Sequence, residues 1–75
     1  IYPNPTTNSC SIEILNKSNN NYFVNIYNTL GQLIIQKNMN NSSINIDLSE
    51  LNAGIYIVQL SDNKQIIVEQ KLIKN

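Results

Sequence analysis

The feature that most constrains this chain is the apolar run at residues 55–60, Ile-Tyr-Ile-Val-Gln-Leu, which directly follows a glycine. Gly54 is one of only two glycines, and it stands where the chain leaves a turn and becomes extended, a place that often needs a positive φ. The residues behind it are β-branched, aromatic or bulky, which favours a β-strand. With Gln59 as its one polar interruption, the run is expected at the centre of a sheet with both faces covered.

Shorter strand-like segments and Asn-rich turns fill the rest of the chain. Several segments place apolar side chains at every second position, the period of a strand with one buried face. The predicted strands lie at residues 10–14, 22–27, 32–37, 43–48, 55–60 and 65–73. The turns at 28–31 and 61–64 predict two hairpins. Because no helical stretch longer than a turn is expected, the sequence predicts one all-β sandwich with mainly antiparallel pairing.

Three local details go beyond the strand pattern. Asp47 to Glu50 has the spacing of a capping box, in which Asp47 would accept the amide of Glu50 and start a single helical turn. Met39 lies among asparagines in an apparent polar turn and joins no apolar stripe. Phe23 and Tyr27 fall on the outer face of the second strand. The predicted core faces are Cys10, Ile12 and Ile14, then Tyr22, Val24 and Ile26, then Ile44, Ile46 and Leu48.

Composition excludes several classes of function. Five lysines balance five acidic residues, with no arginine and no histidine, so the clustered positive charge of a nucleic-acid-binding domain is missing. Only Asp47 and Glu50 are acidic residues close in sequence, and helix capping already explains that pair, which leaves no acid/base pair for catalysis. One thiol and no Asp-rich loop leave no metal site, and two distant glycines make no phosphate loop. We therefore expect a domain without enzymatic activity or cofactor.

The length of the apolar runs and the single cysteine also limit what the chain can do. No apolar run approaches the roughly 20 residues that span a bilayer, so direct membrane insertion is not expected. Cys10, the single cysteine, has no disulfide partner and is expected to be a small buried apolar residue. The absence of an initiator methionine and a signal peptide is typical of a piece of a longer protein. Two functions remain open: an adhesion or glycan-binding module with Phe23 and Tyr27 as its platform, or a structural spacer against a neighbouring domain. The alternative for Phe23 and Tyr27 is that both rings pack in the sandwich or under a loop.

Four segments taken together resemble a known family. They are Tyr2-Pro3-Asn4-Pro5-Thr6, residues 24–32 with the pattern Tyr-Asn-x-x-Gly-Gln, residues 46–56 ending in Gly-x-Tyr, and the basic stretch at residues 71–74. In this order and spacing they are similar to the type A C-terminal sorting domain of the type IX secretion system, over essentially the whole chain. The resemblance implies a small Ig-like antiparallel β-sandwich of six to seven strands, with residues 1–75 as one domain cut from a longer secreted protein.

The resemblance also implies a role in protein export. Such domains stand at the C-terminus of cargo proteins of Gram-negative bacteria, which cross the inner membrane by an ordinary signal peptide. The folded domain is then recognised by the type IX translocon of the outer membrane. The passenger reaches the cell surface or the medium, and a sortase-like surface protease often removes the domain. The oligomeric state is left open.

The family's motifs can be transferred to individual positions. They fall on Pro3, Asn4, Pro5, Gly31, Gly54, Tyr56, Lys71 and Lys74. Gly54 and Tyr56 are expected to be needed for a correctly folded signal, and the final strand with its two lysines is expected to be what the translocon recognises. Purely structural roles are the alternative: a rigid start to the first strand for the prolines, a core aromatic with a bonded hydroxyl for Tyr56, and a solvated edge that resists aggregation for the lysines.

Overall fold

The computed structural model describes residues 8–14, 21–62 and 65–75, and within these ranges the chain is all-β. Its strands are β1 (Ser9–Glu13), β2 (Tyr22–Tyr27), β3 (Leu33–Met39), β4 (Ser43–Asp47), β5 (Gly54–Ser61) and β6 (Ile66–Lys74). They form two antiparallel sheets, one of β1 and β4 and one in the order β3-β2-β5-β6. The prediction of a small Ig-like antiparallel β-sandwich is confirmed.

Some sequence predictions concern parts of the chain outside these ranges. Outside the described residues lie Pro3, Asn4 and Pro5, residues 15–20, and Asn63 and Lys64. The hairpin that joins β5 to β6 is nevertheless defined by the residues on either side of its tip. The amide of Asp62 donates to the carbonyl of Gln65 at 3.0 Å, and the amide of Gln65 donates to Oδ1 of Asp62 at 2.9 Å. The antiparallel pairing of β5 with β6 agrees with the predicted hairpin, while Asn63 and Lys64 of the predicted turn lie outside the described residues.

One hydrophobic cluster contains residues of both sheets and forms the core of the sandwich. From the two-stranded sheet and the residue after it come Cys10, Ile12, Ile46 and Leu48. From the four-stranded sheet come Tyr22, Val24, Ile26, Met39, Tyr56, Val58, Leu60 and Leu72. Ile14 and Ile44 are partly buried against this cluster. The three core faces predicted from alternation are thus confirmed, because each strand turns every second side chain inward.

The prediction that the run at 55–60 is covered on both faces is wrong. β5 is central in its sheet, between β2 and β6. Its inward residues Tyr56, Val58 and Leu60 are buried, but Ile55 on the outward face is 47% exposed. The outer face of the four-stranded sheet has no second layer among the described residues, so the apolar side chains there remain partly solvated.

The prediction for Met39 is also wrong. β3 runs two residues further than the predicted 32–37, and Met39 pairs with Tyr22 at its end. The Met39 side chain is 1% exposed. Asn38 obscured the strand in the sequence, since it pairs with Phe23 on the outer face, where an amide is well solvated. A flexible thioether suits the irregular end of such a core.

The capping box predicted at Asp47 is replaced by a tight turn. Oδ1 of Asp47 accepts the amide of Ser49 at 2.9 Å and not that of Glu50, and the amide of Leu51 donates to the carbonyl of Leu48 at 3.0 Å. No helix follows in the described chain. The carboxylate closes a local turn two residues on, which Asp does readily. Leu51 packs partly buried against the core, as expected.

Candidate functional site

The register of the four-stranded sheet gathers the sequence motifs at one end. Gly54, the first residue of β5, is the cross-strand partner of Lys74 at the end of β6, and Ile57 is the partner of Lys71. On the other side of β5, Ile57 pairs with Tyr27, the last residue of β2. The loop that follows β2 therefore lies at the same end. The residues gathered at this end, which we call the motif end, are Gly31, Gly54, Tyr56, Lys71 and Lys74.

Gly54 and Tyr56 form a corner where the chain enters β5. Gly54 has φ of +154°, a conformation that other residues rarely adopt, and no atom lies within 4 Å of where a Cβ would stand. The backbone conformation, not lack of space, therefore requires glycine. Two residues on, the Tyr56 side chain points inward at 8% exposure, and its hydroxyl donates to the carbonyl of Asn52 at 2.7 Å. A tyrosine that bonds the backbone just upstream is a feature of Ig-like sandwiches.

A second glycine shapes the loop between β2 and β3. Gly31 has φ of +83°, and its amide donates to the carbonyl of Asn28 at 3.1 Å. Oδ1 of Asn28 accepts the amides of Leu30 and Gln32, at 2.9 and 3.0 Å, and its Nδ2 donates to Oε1 of Gln32 at 2.8 Å. The Asn-x-x-Gly-Gln pattern is thus a three-residue loop with glycine in the left-handed position. The asparagine and the glycine of this motif are therefore explained by the turn that they form.

The two motif lysines point to opposite faces of β6. Lys71 pairs with the outward Ile57 and is exposed. Lys74, three residues on, lies on the inner face with Leu72 and is only 9% exposed. No buried side-chain nitrogen among the described residues lacks a hydrogen-bond partner, so the long stem of Lys74 is covered without an unsatisfied buried ammonium. Lys71 is therefore the more accessible positive charge of the pair.

The sequence analysis missed a row of polar side chains across the outer face of the four-stranded sheet. Nε2 of Gln36 donates to Oδ1 of Asn25 at 2.9 Å, and Nδ2 of Asn25 donates to Oγ of Ser61 at 3.4 Å. On the other half, Nε2 of Gln59 donates to Oε2 of Glu69 at 2.6 Å. Asn25 is 8% exposed although it faces outward. Alternation could have predicted its face, but only the strand order β3-β2-β5-β6 brings its partners beside it.

A shallow cleft of about 480 Å³ lies between this row and the motif end. It is lined by Tyr27, Ile57, Gln59, Glu69 and residues of the Gly31 loop. Phe23, the other predicted platform residue, is half-buried on the same face but does not line the cleft. Of the two aromatic residues predicted to form a platform, Tyr27 alone lines this cleft, where Gln59 and Glu69 are its neighbours.

Titratable groups offer little other chemistry. Burial raises the pKa of the Cys10 thiol, which is 1% exposed, so the thiolate is disfavoured. The backbone amide of Ser49, and then its side chain, lower the pKa of Asp47. Over the described ranges, no three Cys, Asp or Glu residues are grouped to hold a metal ion. The same part of the chain has no helix that is long and apolar enough to span a membrane.

Comparison with known protein families gives a match along the chain. The profile of the secretion system C-terminal sorting domain matches residues 1–75, the whole chain. The chain belongs to this family. The resemblance to type IX sorting domains is therefore confirmed.

Two curated relatives are enzymes by name. An ulvan lyase of Nonlabens ulvanivorans is 37% identical over 76 residues, and an endo-acting ulvan lyase of Formosa agariphila is 35% identical over 74 residues. The matches cover 100% and 97% of this chain but only 14% of each relative. The sorting domain thus spans about a seventh of the length of the curated relatives that it matches.

Proposed function

We propose that this sorting domain is the export address of the protein that carries it. Residues 1–75 act as one domain, which the type IX translocon recognises in its folded form while moving the passenger to the cell surface or the medium. The observation that carries the proposal is the motif end, where Gly54 and Lys74 are cross-strand partners. Family motifs that are remote in sequence are adjacent there, as a recognition surface requires.

Within this surface we assign different roles to the two lysines. Lys71 is exposed on the outer face, so the translocon can reach its side chain. Lys74 has a covered stem on the inner face, so it acts mainly by closing the core beside Leu72. The Pro3, Asn4 and Pro5 motif is assigned by the family resemblance alone. A sortase-like surface protease would then cut on the N-terminal side of the domain.

A fusion experiment tests the address. The 75-residue segment is placed behind an inert fluorescent protein that carries an ordinary signal peptide. It is expressed in a type IX-competent strain and in a strain without the translocon. Fluorescence at the surface or in the medium of the competent strain alone is expected. Retention in the periplasm of both strains would contradict the proposal.

Matched lysine variants test the division of roles. Lys71→Met, Lys74→Met and the control Lys37→Met each remove one charge while keeping a long side chain, and Lys37 is an exposed residue of β3 outside the motifs. Lys71→Met is expected to reduce export without changing the thermal midpoint. Lys74→Met, whose stem remains, is expected to export well. Equal export by the Lys71 and Lys37 variants would contradict the role given to Lys71.

The cleft supports a second candidate function, contact with a neutral glycan. Tyr27 offers a ring for stacking, and Gln59 and Glu69 offer amide and carboxylate groups beside it. Few polar groups around an aromatic surface are typical of small-molecule sites. Titration with neutral oligosaccharides, followed by NMR shifts, is expected to perturb residues around the cleft in the parent and not in Tyr27→Ala. Shifts that are absent, or unchanged by Tyr27→Ala, would remove this candidate.

A further inference from the structure

A groove separate from the Tyr27 cleft opens at the β3 edge of the four-stranded sheet, between the start of β3 and the turn that follows β4. The described residues that line this side groove are Ile34, Ile35, Asp47, Glu50 and Leu51. Three of these residues are apolar, two are acidic and none is basic. The volume is about 300 Å³, at the lower end of the range of roughly 300–1,000 Å³ for ligand sites. The side groove therefore suits a long side chain better than a folded element.

An irregularity in β3 brings two consecutive isoleucines to the side groove. In a regular strand, neighbouring side chains point to opposite faces of the sheet. Ile26 of β2 pairs with Ile35, whereas the next residue, Tyr27, pairs with Leu33. Ile34 is therefore the extra residue of a β-bulge, which re-aims side chains locally. Both Ile34 and Ile35 line the side groove, so the bulge enlarges its apolar surface.

The side groove has an apolar floor and an acidic rim. Ile35 and Leu51 are partly buried against the core, and Ile34 is 40% exposed. Asp47 and Glu50 are exposed carboxylates. The backbone amide of Ser49 lowers the pKa of Asp47, so this carboxylate keeps its negative charge at neutral pH. The floor thus favours methylene groups, and the rim favours a positive charge.

Lysine and arginine are the side chains that meet both requirements. Each has a long apolar stem that packs on hydrophobic surface and a cationic end that stays near water. A leucine side chain would fit the floor but offer nothing to the carboxylates, and an acidic side chain would be repelled by them. Backbone pairing is a poorer contact here, because a bulge and a charged residue such as Lys37 discourage pairing at a strand edge.

We propose that the side groove binds one lysine or arginine side chain of a partner protein. The stem lies on Ile34, Ile35 and Leu51. The cationic end lies at the rim, beside the carboxylates of Asp47 and Glu50. A single exposed ion pair changes a binding constant by only about twofold to fivefold. The contact is therefore one anchor within a larger interface, and it selects partners that present a basic residue.

This inference goes beyond the export function and does not rest on it. The side groove is at the β3 edge, whereas the motif lysines are in β6, at the opposite edge of the sheet. The test measures the binding of a peptide to the purified chain. Its failure would leave the fusion experiment unaffected, and a failed fusion experiment would leave this binding unaffected.

NMR titration of the isotope-labelled 75-residue chain tests the side groove. The probes are the peptides acetyl-Ser-Lys-Ser-amide and acetyl-Ser-Arg-Ser-amide, at up to about 20 mM because weak binding is expected. Both are expected to give saturable shifts of the amide signals of Ile34, Ile35 and Leu51. Norleucine in place of lysine keeps most of the stem without the charge, and this peptide is expected to bind at least about threefold more weakly. A glutamate peptide is expected not to bind.

Two pairs of matched variants test the rim and the floor. Glu50→Gln removes one rim charge and is expected to weaken the lysine peptide about threefold. Its control, Glu13→Gln, is at the far end of the two-stranded sheet from Asp47 and is expected to leave binding unchanged. Ile34→Thr keeps a β-branched residue but makes the floor more polar, and is expected to weaken binding at least about threefold. Its control, Ile66→Thr, makes the same change at an exposed position of β6.

The amide spectrum of each variant shows whether the variant is folded. Saturable shifts at the side groove that need the positive charge, Glu50 and Ile34 would support the proposal. An absence of shifts at about 20 mM peptide, or shifts centred on another part of the chain, would overturn it. Equal binding of the lysine and norleucine peptides would also overturn it, as would variants that bind the lysine peptide no more weakly than their controls.

Discussion

The Gly-x-Tyr corner allows a quantitative prediction for the hydroxyl group of Tyr56. Tyr56→Phe keeps the ring in the core and removes the hydroxyl that donates to the carbonyl of Asn52 at 2.7 Å. A neutral hydrogen bond contributes a net stabilisation of about 1 kcal/mol, with more lost when the remaining partner is buried. Asn52 is exposed, so water replaces the lost donor, and the lower value applies. The expected loss in the free energy of unfolding is therefore about 1 kcal/mol.

That loss is easily measured in a domain of this size. A chain of 75 residues has an expected unfolding free energy of about 4–11 kcal/mol, and 1 kcal/mol lowers the thermal midpoint of such a small domain by about 4–8 °C. Urea unfolding followed by circular dichroism gives the free energy, with an unchanged m-value expected. Tyr56→Ala also removes the ring from a site that is 8% exposed, and its cost rises to about 3–5 kcal/mol.

Tyr27→Phe is the matched control for this prediction. It deletes the same atom from a tyrosine on the half-buried outer face, where surface substitutions usually change stability by less than about 0.5 kcal/mol. If Tyr56→Phe and Tyr27→Phe were equally stable, the hydroxyl of Tyr56 would not fasten the corner. The Gly-x-Tyr motif would then need an explanation other than folding, such as direct contact with the export machinery.

Three further changes test other parts of the fold by the same urea measurement. Met39→Ala empties a site that is 1% exposed and should cost about 2–5 kcal/mol; a cost near zero would show that β3 ends before it. Gly54→Ala should cost about 1–3 kcal/mol through backbone strain alone, since its Cβ meets no atom within 4 Å; an equally stable variant would contradict the strained corner. Asp47 has a lowered pKa in the folded chain because it accepts the Ser49 amide, so its contribution is present above the unfolded pKa of about 3.9 and is lost as the pH falls through the folded value. Asp47→Asn should therefore lose less stability than the parent between neutral pH and about pH 3, and an identical acid dependence would exclude this contribution.

Local pattern was enough to predict most of the strands, and its failures have physical causes. Alternation found the inner faces of β1, β2 and β4 because each of these strands has one face in the core. It missed Met39 because Asn38, a poor strand former, is tolerated on the solvated face. It assigned both faces of β5 to the interior because apolar composition alone does not reveal that a face is uncovered. The order of the strands in the sheet depends on long-range pairing, which a local sequence pattern does not contain. The polar row through Asn25 follows from that order and could not be predicted either.

The same limit applies to the motif end. Gly54 and Tyr56 were predicted to serve folding, and the bond to Asn52 supplies a physical reason for the tyrosine. The opposite faces of Lys71 and Lys74 follow from their three-residue separation in a strand, which the sequence already shows. The position of Lys74 beside Gly54 could not be predicted without the register of β5 against β6. The role of these residues in recognition remains a prediction for the lysine variants.

The pairing of Gly54 with Lys74 links the two roles that the motifs suggest. The end of β6 is held in place by the beginning of β5, where Gly54 takes its unusual φ and Tyr56 fastens the turn before it. An error in that corner would therefore displace Lys71 and Lys74 even though neither lysine takes part in it. A recognition surface built in this way is complete only in the folded domain, so a passenger would be exported only with a correctly folded tail. Gly54→Ala should then reduce export in proportion to the unfolded fraction, whereas Lys71→Met should reduce it in a fully folded domain.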